Sequence, residues 1–178
     1  ATDPKLTEVF SLDVIGDWRA SAKNNERMWS RGVKAIPCYH VGEPVEVLRD
    51  MAKGYPKISL GGAVGYRAKD KWASECFARV WPKKIHGLGF GTEKSVMSLP
   101  FHSVDATNWE SGPCAFGKWL AFGKMSVRGG QQNLKAEVLA YLAIEERAQE
   151  KWKKEMLTLH GGGTGAECST QCDPRDAL

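Results

Sequence analysis

Five short apolar runs in this chain each stop on groups that can do chemistry. Asp13 and Asp17 close "SLDVIGD", and His40 and Glu43 close "CYHVGE". Gly61 and Gly62 follow "KISL", His86 and Gly87 follow "KI", and Asp105 with Asn108 ends "SVDATN". Carboxylates, two imidazoles and exposed glycine backbone suit a flat polar heterocycle held by hydrogen bonds, with a nucleophile or a proton carrier beside it. Taken singly the signals are weak. Glycine doublets are common in turns and bulges, and a lone Asp or His more often caps a helix or packs in a core.

The elements that must carry these groups alternate in type. Val9 to Gly16 reads as a strand, and Asp17 then caps a helix running to about Arg31, with Trp18, Ala22, Met28 and Trp29 as its inward positions. Val33 to His40 is the next strand; Pro44 begins a helix that Gly54 closes. "KISLGGAVG" is the third strand, Lys69 to Trp81 a helix, "KIHGLG" the fourth strand, Thr92 to Leu99 a short helix and "FHSVDAT" the fifth strand. The expected fold class is α/β: five consecutive βα units predict a parallel sheet, either doubly wound or part of a (β/α)8 TIM-like barrel. In both, the carboxyl ends of the strands gather at one mouth, where ligands bind. That placement explains why apolar runs stop on chemistry.

After Trp109 the rhythm changes to a glycine-punctuated stretch and then a long helix from about Asn133 to Leu159. Its apolar Leu134, Val138, Leu139, Leu142, Ala143 and Trp152 beside the run "EERAQEKWKKE" predict an amphipathic cover. The expected organisation is one barrel portion with its C-terminal helix over residues 1–160 and a flexible tail over 161–178.

Composition narrows the class. With 178 residues and 42% hydrophobic content the chain can bury one core. No run approaches the roughly 18 apolar residues of a membrane span, so a cytoplasmic protein without an anchor is expected. A net charge of +4 suits a polyanionic partner, although lysines as dispersed as Lys69, Lys71, Lys83 and Lys84 equally make a solvated surface. Cys38, Cys76, Cys114, Cys168 and Cys172 form no disulfide framework, and "CSTQC" lacks the second pair of a structural zinc site. No metal is expected. "GLGFGTEK" lacks the spacing of a P-loop or a dinucleotide fingerprint, which weakens the reading as an α/β enzyme acting on a phosphorylated metabolite.

The order of motifs, "SLDVIGD", "IPCYHVGE", "ISLGGAVGY", "KIHGLGFGT" and "FHSVDATNW", resembles the catalytic barrel of tRNA-guanine transglycosylases, the queuine tRNA-ribosyltransferase superfamily. It looks most like the short phage-type relatives associated with 7-deazaguanine modification of nucleic acid. The likeness covers Phe10 to Trp109. It implies exchange of guanine for a 7-deazaguanine base in DNA or tRNA without a cofactor, in the host cytoplasm if the protein is phage-encoded. Asp105 stands where the family has its nucleophile, and Asp13 where it has the carboxylate that reads the base. Gly61 and Gly62 match the glycine pair at the base, and His40 takes the place of a base-contacting glutamine. His86 and Gly87, at the fourth strand end, join the base side; for either histidine a packed or supporting role is the alternative.

Other features depart from the family. Tyr66 replaces a glutamate that often follows the glycine pair, and no Cys-x-Cys-x-x-Cys cluster follows Asp105. The Asp-Ser-Gly element that supplies the family's acid/base group has no counterpart before Phe10. The expectation is therefore a fragment, a degenerate homologue, or a split subunit whose companion chain or N-terminal segment completes the barrel. The rival expectation is a non-catalytic nucleobase-binding or nucleic-acid-binding partial barrel.

Overall fold

The computed structural model describes residues 6–105, 107, 118–121, 123, 124 and 134–161. Its centre is a parallel four-stranded sheet in which β1 (Cys38–His40), β2 (Lys57–Gly61), β3 (Lys84–Leu88) and β4 (Ser103–Asp105) lie side by side in chain order. The connections run through α2 (Val45–Gly54), α3 (Lys69–Val80) and α4 (Glu93–Ser98). The chain is thus a mixed α/β protein, as the alternation of elements requires.

The first expected strand is much reduced. Within Val9 to Gly16 only Phe10 pairs, in one parallel bridge to Ile36, and Leu12 and Ile15 are exposed. The second expected strand shrinks to Cys38–His40, because Pro37 just before it has no N–H to give to a ladder. Helix α1 (Trp18–Ser30) begins where expected, with Asp17 accepting from the backbone N–H of Arg19 at 3.1 Å and Ala20 at 3.0 Å. Trp18, Ala22, Met28 and Trp29 are half-buried, Trp18 against the core, while the most buried residues of the helix are the polar Ser21 and Asn25.

Strand register assigns each residue to a face. Tyr39, Leu60, Gly87 and Val104 form one cross-strand row, with Ile58 and Ile85 on the same face. This face joins Val47, Leu48 and Met51 of α2 and Ala73, Cys76 and Phe77 of α3 in the apolar core. Burial of such side chains is worth about 1.5–3 kcal/mol each, and it fixes register because a one-residue slip would turn the whole set outward. Gly87 lies on this face, where an added Cβ would meet the Phe101 ring at 2.8 Å. The opposite face carries Cys38, Ser59, His86 and Ser103 in one row and His40, Gly61, Leu88 and Asp105 in the next.

Beyond β4, β5 (Lys118–Trp119) and β6 (Gly123–Lys124) pair antiparallel, and α5 (Leu134–Gly161) packs on α4. The Trp152 indole N–H donates to the carbonyl of Val96 at 2.8 Å, and Lys151 Nζ to that of Met97 at 2.7 Å. The covering row is Glu137, Ile144 and Ala148. Val138, Leu139 and Leu142, expected inside, are exposed. Among the described residues no helix is long and apolar enough to cross a membrane. Asn108, Trp109, Cys114, Cys168, Cys172 and residues 162–178 of the tail expected over 161–178 lie outside the described residues, while Gly161 still belongs to α5.

Candidate functional site

Two side-chain clusters occupy the polar face. The first forms where the loop after Phe10 meets the end of β1. His40 Nε2 lies 2.7 Å from Asp13 Oδ2 and Nδ1 lies 3.3 Å from Glu43 Oε1, while the His40 backbone N–H donates to Glu43 Oε2 at 3.0 Å. Glu43 therefore grips both the backbone and the ring of His40, and the ring in turn orients Asp13. The imidazole pKa is pushed up to about 10 by hydrogen bonding to Cys38 and Glu43, against an opposing effect of burial. At neutral pH this histidine is a buried cation between carboxylates.

The glycine pair makes this cluster possible. A Cβ on Gly61 would stand 2.6 Å from Cys38 Sγ, and one on Gly62 would stand 3.1 Å from His40 Cδ2. Gly62 also has φ +67°, a left-handed backbone that L side chains rarely adopt. Asp13, Cys38 and His40 bring an oxygen, a sulfur and a nitrogen within 4.8 Å of one another, a donor set of the kind that holds zinc. Here the His40 proton already bridges to Asp13, so a metal ion would have to displace a strongly held proton.

The second cluster surrounds Asp105 at the end of β4. Its carboxylate is 59% exposed, and Oδ1 accepts from the backbone N–H of Gly89 at 2.7 Å. His86 Nε2 lies 4.0 Å from the same oxygen. The ring, 6% exposed, packs against Phe10 at a centroid distance of 4.6 Å, and its Nδ1 is 2.8 Å from Ser103 Oγ. Behind Ser103, Lys57 Nζ donates to Ser103 Oγ at 2.8 Å and to both Glu8 oxygens at 2.8 and 2.9 Å. Burial and, more weakly, the Lys57 charge hold the His86 pKa below the usual imidazole value, while Asp105 acts in the other direction. His86 is neutral where His40 is charged.

The structure thus brings Asp13, His40, Gly61 and Gly62 into one cluster and His86 and Asp105 into another. His40 and Asp105 share a row that crosses all four strands, three strand spacings apart, which is roughly 14 Å along a flat sheet. Gly87 faces the helices instead, and Asp17 is taken up as a cap. Glu8, Cys38, Lys57 and Ser103 were not singled out as site residues. The available signal was alternation: Lys57, Ser59 and Gly61 occupy every second position of an otherwise apolar strand.

Two cavities flank the sheet. One of about 640 Å³ lies between α1 and α2, reaches Asp13 and Cys38, and is lined by Asn25, whose amide atoms have no partner. The other, of about 550 Å³, is a basic groove of Arg49, Lys53, Arg79, Lys83 and Lys84. It sits by the amino ends of β2 and β3, away from the ends that carry Asp13 and Asp105. No protein-family model, no curated protein and no solved structure matches the chain.

Proposed function

We propose that the chain is a transglycosylase that exchanges guanine in DNA or tRNA for a 7-deazaguanine base, and that its four parallel strands are one wall of a (β/α)8 barrel. The observation that carries this reading is the exposed Asp105 carboxylate, pinned through Oδ1 at a strand end and sharing a cross-strand row with the His40 that holds Asp13. Strands in chain order, each joined to the next through a helix, fit a barrel wall.

In this reading Asp13 accepts the ring N–H and exocyclic amine protons along one edge of the base, with the His40 ring holding its carboxylate in place through Oδ2. Asp105 attacks the anomeric carbon of the sugar. The glycosidic carbon–nitrogen bond breaks, a carbon–oxygen bond to Asp105 forms, and the departing guanine keeps the bonding pair and takes a proton from water or from an acid on a companion segment. The incoming 7-deazaguanine then gives its ring N–H proton back to water or to that acid's conjugate base, attacks the same carbon through that nitrogen, and the carbon–oxygen bond to Asp105 breaks. Nothing is oxidised or reduced, so no redox cofactor is required. A target base must leave its stack to reach the strand ends, which makes single-stranded or flipped-out substrate the expected form.

The test is incubation with a guanine-containing oligonucleotide and a labelled 7-deazaguanine base, followed by denaturing electrophoresis. Wild type should incorporate label and leave a covalent protein–nucleic acid band; Asp105→Ala should do neither while keeping its circular dichroism. Label incorporation by Asp105→Ala removes Asp105 from the mechanism. Base binding without exchange by wild type replaces the enzyme with a nucleobase-binding protein.

A further inference from the structure

The second cluster contains an unpaired polar atom. His86 Nε2 is buried and has no hydrogen-bond partner, although it sits 4.0 Å from a carboxylate oxygen. A buried polar atom left unsatisfied is destabilising, so its retention calls for a reason.

The state of that nitrogen follows from the chain of groups behind it. The Lys57 side chain offers only N–H donors and no acceptor, and its partners are the two Glu8 oxygens and Ser103 Oγ. Ser103 Oγ therefore accepts from Lys57. Its own single proton has no other acceptor among the described residues and goes to His86 Nδ1 at 2.8 Å. A neutral imidazole that accepts at Nδ1 carries its proton on Nε2, the atom that faces Asp105.

We propose that His86 is the positioning residue for Asp105, presenting an Nε2–H whose tautomer is set by the Glu8–Lys57–Ser103 chain. At 4.0 Å the gap is long for a hydrogen bond, as catalytic contacts often are outside the substrate complex. Closure of about 1 Å brings the pair into range. Asp105 Oδ1 is then held by two donors, Gly89 N–H and His86 Nε2–H, which fixes the carboxylate while its other oxygen meets the anomeric carbon. This role rests on the transglycosylase reading, whereas the tautomer and the His86–Asp105 contact do not depend on it.

The experiment has two arms. Nitrogen-15 correlation spectra of the ligand-free protein should show His86 protonated at Nε2 and bare at Nδ1. Ser103→Ala should mix the tautomers, and Asp105→Ala should shift the Nε2–H proton resonance. In the exchange assay His86→Gln, whose amide N–H reaches the Nε2 position, should keep kcat/KM within about tenfold of wild type. His86→Asn, which keeps only the Ser103 end, should lose roughly 50-fold or more. A proton on Nδ1, an Nε2–H resonance indifferent to Asp105→Ala, or equal losses in the Gln and Asn variants overturns the proposal. If wild type exchanges no base, the spectra still decide between a held and an unheld Asp105, and that failure belongs to the enzyme reading alone.

Discussion

His40 makes the stability of this fold depend on pH in a direction opposite to that of an ion-paired carboxylate, whose pKa folding lowers. Its pKa rises from the ordinary 6.5 to about 10 on folding, because the folded state supplies Cys38 and Glu43 as partners for the charged ring. The native state therefore binds a proton that the unfolded chain releases above pH 6.5. Stabilisation is complete below pH 6.5 and is lost as pH rises through about 10. At about 1.4 kcal/mol per pH unit, that window sets a ceiling of about 5 kcal/mol. The ring is buried, so solvent screening takes little away. The assay is urea denaturation of wild type and His40→Gln at intervals from pH 6 to pH 10.5, taking the difference so that lysines and tyrosines titrating in both proteins cancel. The advantage of wild type should shrink steadily above pH 6.5, and Cys38→Ser, which removes the leading partner, should end the window at lower pH. A difference that is flat or grows with pH refutes the assignment of a charged His40.

Two further substitutions test the packing on either side of the sheet. Gly87→Ala places a methyl 2.8 to 3.0 Å from three atoms of the Phe101 ring, which is itself wedged between Phe77 at 5.1 Å and Phe90 at 4.9 Å, so thermal unfolding should show a loss of about 1–3 kcal/mol. Asn25→Leu removes an amide that is 2% exposed and has neither its nitrogen nor its oxygen paired, beside a cavity with room for the larger side chain, and should leave the protein as stable or more stable by about 1 kcal/mol; a clear loss means that the amide has a partner such as a bound water.

The repeating βα order was legible because each strand is bounded by residues with strong local preferences: Asp17 and Thr92 as caps, Pro44 and Gly54 around α2. Harder to read were the places where one partner lies far away in sequence. Helix α5 offered two plausible inward stripes, one with Val138, Leu139 and Leu142 and one with Glu137, Ile144 and Ala148. The second wins with a buried glutamate because Glu137 accepts the backbone N–H groups of Leu120 at 2.8 Å and Ala121 at 3.0 Å, a pairing that no helical periodicity announces. Asn25 misleads for a similar reason, since helical spacing finds the apolar side of α1 but not that its most buried positions are the polar Ser21 and Asn25. Of the site residues, His40 and Asp105 were visible because they end strands and Asp13 because it follows a short apolar run, while Lys57 and Ser103 open strands and passed as ordinary strand residues.

Strand composition carries the deeper functional signal. Parallel strands covered on both faces usually read as continuous apolar runs. Here "KISLG" and "KIHGL" alternate, yet of their polar side chains only Lys84 is exposed: Ser59 is fully buried and Lys57 and His86 nearly so. Buried polar groups of this kind cost stability unless they are paired, and apolar residues of the same size would often serve a core as well. The pairing is nearly complete, from Glu8 through Lys57 and Ser103 to His86 Nδ1. It stops one atom short, at the His86 nitrogen that faces the exposed Asp105. A network built only for stability has no reason to end on an unpaired donor beside an exposed carboxylate, whereas a network built to aim that carboxylate ends there.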